Sequence, residues 1–237
     1  KFTLGRDCFY DVLRANGFML RKKRYRPRTT DSNHNNRIYP DLLNTTPKLV
    51  AKRPGELVVA DITYVYCSEG FGYLSLLTDA YTRYIVGYCF FESLETEGPL
   101  QALYMACECF ESFGVSIVDM IHHSDRGVQY ASYAYTDILK HWQIKISMTE
   151  NGNPKDNAVA ERVNNTIKNE LLMDMEFFSI EEVKAAVRIA VDFYNNERPH
   201  MSIDGMTPSE AALCTGEINK KWTSYREIAI KTCKGQD

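Results

Sequence analysis

An α/β fold built on a mixed sheet is what this sequence predicts, on three observations. Leu57 to Tyr66 is a run of β-branched and aromatic residues, and two further strand-like runs follow it across short turns. Beyond them, apolar residues recur at helical spacing in segments that alternate with short apolar runs. A single carboxylate, Asp61, interrupts the first of the strands.

Residues 6–16 put Phe9, Leu13 and, less regularly, Val12 on one helical side, and Gly17 follows as a stop. Arg21, Lys22, Lys23, Arg24, Arg26 and Arg28 come next, with Tyr25 among them, a composition suited to gripping phosphates and stacking on a base. Residues 1–30 therefore read as a small helical, basic DNA-binding segment. Residues 31–55 are polar and read as a linker, with Tyr39 to Leu43 docking on the core. Strands over 57–66, 73–78 and 84–91 form an antiparallel meander. Leu100, Leu103, Tyr104, Cys107 and Phe110 then mark a helix of about 16 residues. A strand over 115–121, a helix over 131–141 and a short strand over 144–148 come after it. Past a turn-rich loop, a helix runs over 156–173. Another starts at the cap Ser179, with Glu182 completing a capping box, and ends before Pro199. Three antiparallel strands followed by alternating helix and strand is the order of the ribonuclease-H-like fold. The expectation is a mixed five-stranded sheet with flanking helices over residues 56–212 and a C-terminal tail over 213–237.

Composition bounds the rest. At 44% apolar and 25% charged residues, the chain is ordinary for a globular protein. It has no apolar run approaching the roughly 18 residues of a membrane span. No signal peptide is read at its start, and Lys1 in place of Met suggests a processed or truncated piece. The seven cysteines are odd in number and scattered, as free thiols in a reducing compartment would be. With no C-x-x-C pair and no H-x-x-x-H, a structural zinc site is not expected. Charge is uneven: residues 1–60 hold 13 Lys and Arg against 5 Asp and Glu, whereas residues 61–237 hold 15 against 26. A basic arm on an acidic body fits a polyanion-binding module joined to a metal-dependent core.

Three carboxylates carry the chemistry. Asp61 lies in a strand, where a charge is costly unless paired or bound to a cation. Asp125 follows the fourth strand, at the edge of an α/β sheet where ligands bind. If the first and fourth strands are neighbours, Asp61 and Asp125 stand side by side. Their repulsion would then be relieved by a divalent cation. Glu161 shares a helical stripe with Asn157, Asn164 and Lys168. Converging carboxylates suit Mg²⁺, with Mn²⁺ as a substitute, and two such ions can catalyse in-line attack on a phosphodiester. Lys168, Asn157, Asn164 and Arg126 are candidate DNA contacts. His123, Arg198 and His200 are candidates for supporting the site, and His122 for orienting Asp125 or touching DNA. Taken singly, each of these residues has a structural alternative: a capped loop, a solvated helix face, or the turn at Pro199.

Asp125 and Glu161 are separated by 35 residues, and Lys168 stands seven after Glu161. With Asp61 on the first strand, this resembles the Asp-Asp-Glu pattern of retroviral-type integrases and insertion-sequence transposases. Asp61-Ile62-Thr63-Tyr64, His123 to Tyr130, Gly152 to Glu161 and Tyr194 to His200 resemble segments of the OrfB-type transposases of copy-out, paste-in elements. Thr207-Pro208 fits as well. Val58 stands where family members often have Trp, and the His-His-Cys-Cys zinc module of retroviral integrases is absent, which favours the transposase branch. The resemblance implies a bacterial, cytoplasmic and nucleoid-associated enzyme. It would use two Mg²⁺ ions held by Asp61, Asp125 and Glu161 to cut and join DNA at terminal inverted repeats, acting as a dimer or larger oligomer. The alternatives are an integrase-like or host-adopted recombinase, and a catalytically silent DNA-binding regulator.

Overall fold

Strand β1 (Leu57–Cys67) occupies the centre of the sheet. Its β-branched and aromatic residues suit a strand covered on both faces, and Val58 and Ala60 are fully buried. Along one edge β1 pairs antiparallel with β2 (Gly70–Asp79), which pairs antiparallel with β3 (Ile85–Phe91). Along the other edge it pairs in parallel with β4 (Ile121–Ser124), and β4 pairs in parallel with β5 (Lys145–Met148). The order β3-β2-β1-β4-β5 is the mixed five-stranded sheet expected of a ribonuclease-H-like core. The computed structural model describes residues 5–16, 33–45, 49–68, 70–150, 157–219 and 221. The basic residues Arg21, Lys22, Lys23, Arg24, Arg26 and Arg28 lie outside these.

Helices cover both faces. Val58, Ala60 and Ile62 pack with Leu103 and Phe110 of α2 (Glu97–Ser112), Tyr130 of α3 (Val128–Ala131), and Tyr135 and Leu139 of α4 (Tyr133–His141). On the opposite face Leu74, Leu76 and Phe90 pack with Val163 of α5 (Ala158–Thr166) and with Val183, Val187 and Tyr194 of α6 (Ile180–Asn196). Each fully buried Leu or Phe contributes about 1.5–3 kcal/mol. A Cβ on Gly87 would sit 2.0 Å from the Ala102 carbonyl oxygen, so glycine is what lets α2 lie directly on β3. The Tyr39–Leu43 stretch docks as expected. Leu43 is buried beside Leu57 and Ile121, the Leu42 N–H donates to Ser147 Oγ at 2.9 Å, and Pro40 accepts from the Met148 N–H. The stretch thereby covers β5, the outer strand of the sheet.

Several expectations are corrected. The strand expected over 115–121 begins only at Ile121. Gly114 and Asp119 adopt positive φ, which turns the chain on either side of Val115 and Ile117; the apolar character of that pair reflects packing against the core. The helix expected over 131–141 is two helices, because extended Ser132 ends α3 and its Oγ accepts the Tyr135 N–H to open α4. The helix expected to reach 173 gives way after Thr166 to a π-helical turn, Ile167–Leu171. Ser179 caps α6, but Glu182 reaches the Phe178 N–H rather than that of Ser179, so the capping box is displaced by one residue. The N-terminal helix α1 (Arg6–Ala15) forms, with Phe9 and Val12 about half exposed. Finally, α7 (Pro208–Ala211) is opened by a complete box between Thr207 and Glu210. No helix among the described residues is long and apolar enough to cross a membrane.

Candidate active site

The parallel register pairs Val58 with His122 and Val59 with His123. Continued two residues, it brings Asp61 level with Asp125 at the carboxyl end of β4. Side chains alternate across a sheet, so Asp61 shares the face that carries Val59, over which Ala160 of α5 packs, and Asp125, just past β4, lies close enough for its charge to act on Asp61. The Gly127 N–H donates to Asp125 Oδ1 at 2.9 Å and fixes one of its oxygens. Asp61 Oδ1 accepts from the Ile62 N–H at 2.9 Å.

Helix α5 is tied to β1 along its polar stripe. Asn157 Nδ2 donates to the Ala60 carbonyl at 2.9 Å, and Asn164 Nδ2 donates to Asp61 Oδ2 at 2.8 Å. Lys168 Nζ lies 3.0 Å from the centre of the Tyr64 ring, a cation–π contact. Both asparagines are buried. Their amide donors face the strand, and Asn164 orients Asp61. Glu161, between them in sequence, is exposed. The stripe that the sequence marks out thus carries one outward carboxylate and two inward amides.

Burial, then the charge of Asp125 and more weakly that of Glu161, raises the Asp61 carboxyl to about 7, against the hydrogen bonds from Asn164 and Ile62. Partial burial raises Glu161 as well. Among the described residues, no three His, Cys, Asp or Glu side chains already converge as the ligands of one metal ion. The donor set nonetheless fits a divalent cation. Its members are hard carboxylate oxygens, and the repulsion and desolvation that raise Asp61 are what a bound cation would offset.

The neighbouring candidates divide. His123 is buried and bonds Ser147 Oγ at 2.8 Å, linking β4 to β5. His122 is buried on the opposite face against the Tyr135 hydroxyl, 2.9 Å away, and burial, then His123, lowers it to about 3. Arg126 Nε donates to the Thr149 carbonyl, and its own carbonyl lies 2.8 Å from His34 Nε2. Arg198 pairs with Glu170 at 2.6 Å and contacts His200 Nδ1 at 3.3 Å. Those two residues thus join the end of α6 to the π-helical turn beyond Glu161.

Two models of the integrase core domain match this chain, over residues 51–154 and 142–208. The insertion element IS600 31 kDa protein of Shigella sonnei is 36% identical over 207 residues, which is 87% of this chain and 74% of that protein. The chain belongs to the integrase-core family of insertion-sequence transposases. The transposase for IS629 of Shigella sonnei is 37% identical, over 69% of this chain. The putative IS986/IS6110 transposase of Mycobacterium tuberculosis is 36% identical, over 66%. The chain spans only 54% and 57% of the lengths of these two transposases. Among solved structures, the integrase catalytic core domain of HTLV-2 in complex with magnesium superposes with a TM-score of 0.51 at 16% identity, covering 68% of this chain and 97% of that one. The simian T-cell lymphotropic virus intasome in complex with the PP2A subunit B56 gamma gives 0.58 at 14%, covering 81% and 66%. These two likenesses are of fold.

Sequence reasoning missed two residues of this transposase core. Asp79 is buried where β2 ends. It accepts from the N–H groups of Gly55, Tyr81 and Thr82 and from the Thr82 hydroxyl, and burial raises its carboxyl. An Asp followed three residues later by Thr, between two strands, was the available signal. Tyr130 is fully buried, and Asp61 and Asp125 are among the charges that raise its phenol, after burial and Tyr135. Only the fold puts it behind the carboxylates.

Proposed function

We propose that this chain is the catalytic core of a Mg²⁺-dependent DNA transposase, with Asp61, Asp125 and Glu161 as the residues that hold the divalent ions. The observation that supports this reading is the closeness of Asp61, on β1, to Asp125, just past the end of the neighbouring parallel strand β4, where burial and the charge of Asp125 raise Asp61 to about 7. When bound, two divalent cations supply Lewis acidity that activates an attacking hydroxyl and stabilises the leaving oxygen. The residues of the chain hold and orient. Asn164 keeps Asp61 Oδ2 turned toward α5, and the Gly127 N–H fixes Asp125 Oδ1. Glu161 is carried on α5, which Asn157 anchors to β1, and would complete the ligand set. Lys168, over the Tyr64 ring, and Arg126, next to Asp125 in sequence, would contact the phosphates of the strand being cut, and the basic arm at 21–28 would bind the terminal repeats.

The chemistry balances without a covalent protein–DNA intermediate. In the first step water attacks phosphorus, the bond to the 3′ oxygen at the element end breaks, and that oxygen leaves as a free 3′-hydroxyl. In the second, that hydroxyl attacks a target phosphodiester; one P–O bond forms and one breaks, so no external energy source is needed. Two element ends must meet, which calls for at least two protomers. The test is strand cleavage and strand transfer on duplexes carrying the element's ends, with Mg²⁺. Asp61→Asn, Asp125→Asn and Glu161→Gln should each abolish both steps while DNA binding survives. Retained cleavage in any one of them removes that residue from the site.

A further inference from the structure

The amide oxygen of Gln129 is buried and has no hydrogen-bond partner. Its orientation is not arbitrary. Gln129 Nε2 donates to the Leu94 carbonyl at 2.7 Å, and a carbonyl can only accept, so Oε1 must face the other way. On that side stands Gly127. A Cβ built on Gly127 would lie 3.1 Å from Gln129 Oε1 and 3.0 Å from Asp125 Oδ1. The two oxygens therefore flank one point and are no more than about 6 Å apart. Both are acceptors, so neither can satisfy the other. The group that complements them is a donor of O–H bonds between them. Glycine at 127 lets the two oxygens come this close, since a Cβ there would crowd both, and its own N–H already serves Asp125 Oδ1.

A buried amide oxygen left without a donor is unfavourable, and native proteins rarely keep one without a reason. Here the reason lies two residues from each end of the loop: the spacing Asp125-x-Gly127-x-Gln129 sets a carboxylate and a fixed carbonyl on either side of one glycine. We propose that Gln129 is a positioning residue of the divalent-cation site, its Oε1 accepting a hydrogen bond from the hydration shell of a cation held by Asp125. The inference rests on the reading of Asp125 as a metal ligand. Outer-shell partners of this kind change metal affinity by about 10- to 100-fold when removed.

The test is Mn²⁺ binding to the chain without DNA, followed by depletion of the free Mn²⁺ paramagnetic resonance signal and by calorimetry. Gln129→Met keeps the volume and removes the oxygen; it should weaken Mn²⁺ binding about 10-fold or more. Gln129→Glu keeps an oxygen and adds charge; it should bind Mn²⁺ at least as tightly as the parent. Asp125→Asn should lose binding. If Gln129→Met binds like the parent while Asp125→Asn does not bind, the role of Gln129 is overturned and the metal site stands. If Asp125→Asn also binds like the parent, the proposed function itself fails. Should Gln129→Met not fold, Gln129→Glu decides, and binding weaker than that of the parent overturns the proposal.

Discussion

Replacing Asp61 with Asn removes a charge that the fold holds at a cost. The carboxyl is raised from its ordinary 3.8 to about 7. A shift of that size corresponds to about 4 kcal/mol at pH 8, and contact of the half-buried side chain with solvent reduces it to roughly 2. The sign follows from proton counting. Between about pH 4 and 7 the folded state binds more protons at this site than the unfolded state, so stability falls as pH rises through that window. The Asn variant is spared that loss but offers only one acceptor to the donors from Asn164 and Ile62, at a cost of about 1 kcal/mol. The net expectation is a gain of about 1 kcal/mol at pH 8 that shrinks or reverses at pH 4. Urea denaturation at both pH values measures it; with a slope of about 2–3 kcal/mol/M, the midpoint at pH 8 rises by roughly 0.4 M. Mg²⁺ at ten times its dissociation constant should stabilise the parent by about 1.4 kcal/mol and leave the variant unchanged. A variant no more stable than the parent at pH 8, or one offset equally at both pH values, refutes the reasoning.

Other expectations rest on single contacts. Asn164→Leu removes the donor that holds Asp61 down, so Mn²⁺ affinity should fall about 10-fold at pH 7 and recover toward pH 9, where Asp61 is ionised regardless; calorimetry at the two pH values checks this. Asp79→Ala strands three buried N–H groups and should cost at least about 3 kcal/mol in urea denaturation, with cleavage per folded molecule retained. Gly87→Ala drives a methyl into the Ala102 carbonyl and should leave little soluble folded protein, as judged by circular dichroism. Changing Arg21, Lys22, Lys23 and Arg24 together to Ala should flatten the log–log salt dependence of DNA binding by roughly 3 to 4. An unchanged slope would mean the arm is not at the DNA.

What the sequence makes legible here is what local pattern encodes. The β-branched run around Asp61, the loop at Asp125 and the helix bearing Glu161 each announce themselves, and the order of elements, taken as that of a ribonuclease-H-like fold, makes β1 and β4 neighbours, as the sheet bears out. Apolar content misled at Val115 and Ile117, where packing against the core rather than a ladder explains the residues. Ser132 carried a cap signal inside a helical pattern, and the pattern obscured it. Asn157 and Asn164 read as an outward polar stripe because their partners, Ala60 and Asp61, are about a hundred residues away in sequence and adjacent only in the fold. The facing of Gln129 Oε1 and Asp125 Oδ1 across Gly127 depends on a side-chain orientation set by Leu94, which no spacing rule reveals.

The proposed function requires Asp61 and Asp125 to hold a divalent ion together. Crystals soaked in Mn²⁺, with data collected at the manganese absorption edge, test it most directly. The expected result is an anomalous peak about 2.1 Å from a carboxylate oxygen of both Asp61 and Asp125, lost in Asp61→Asn. A peak elsewhere, or none at saturating Mn²⁺, would contradict the claim.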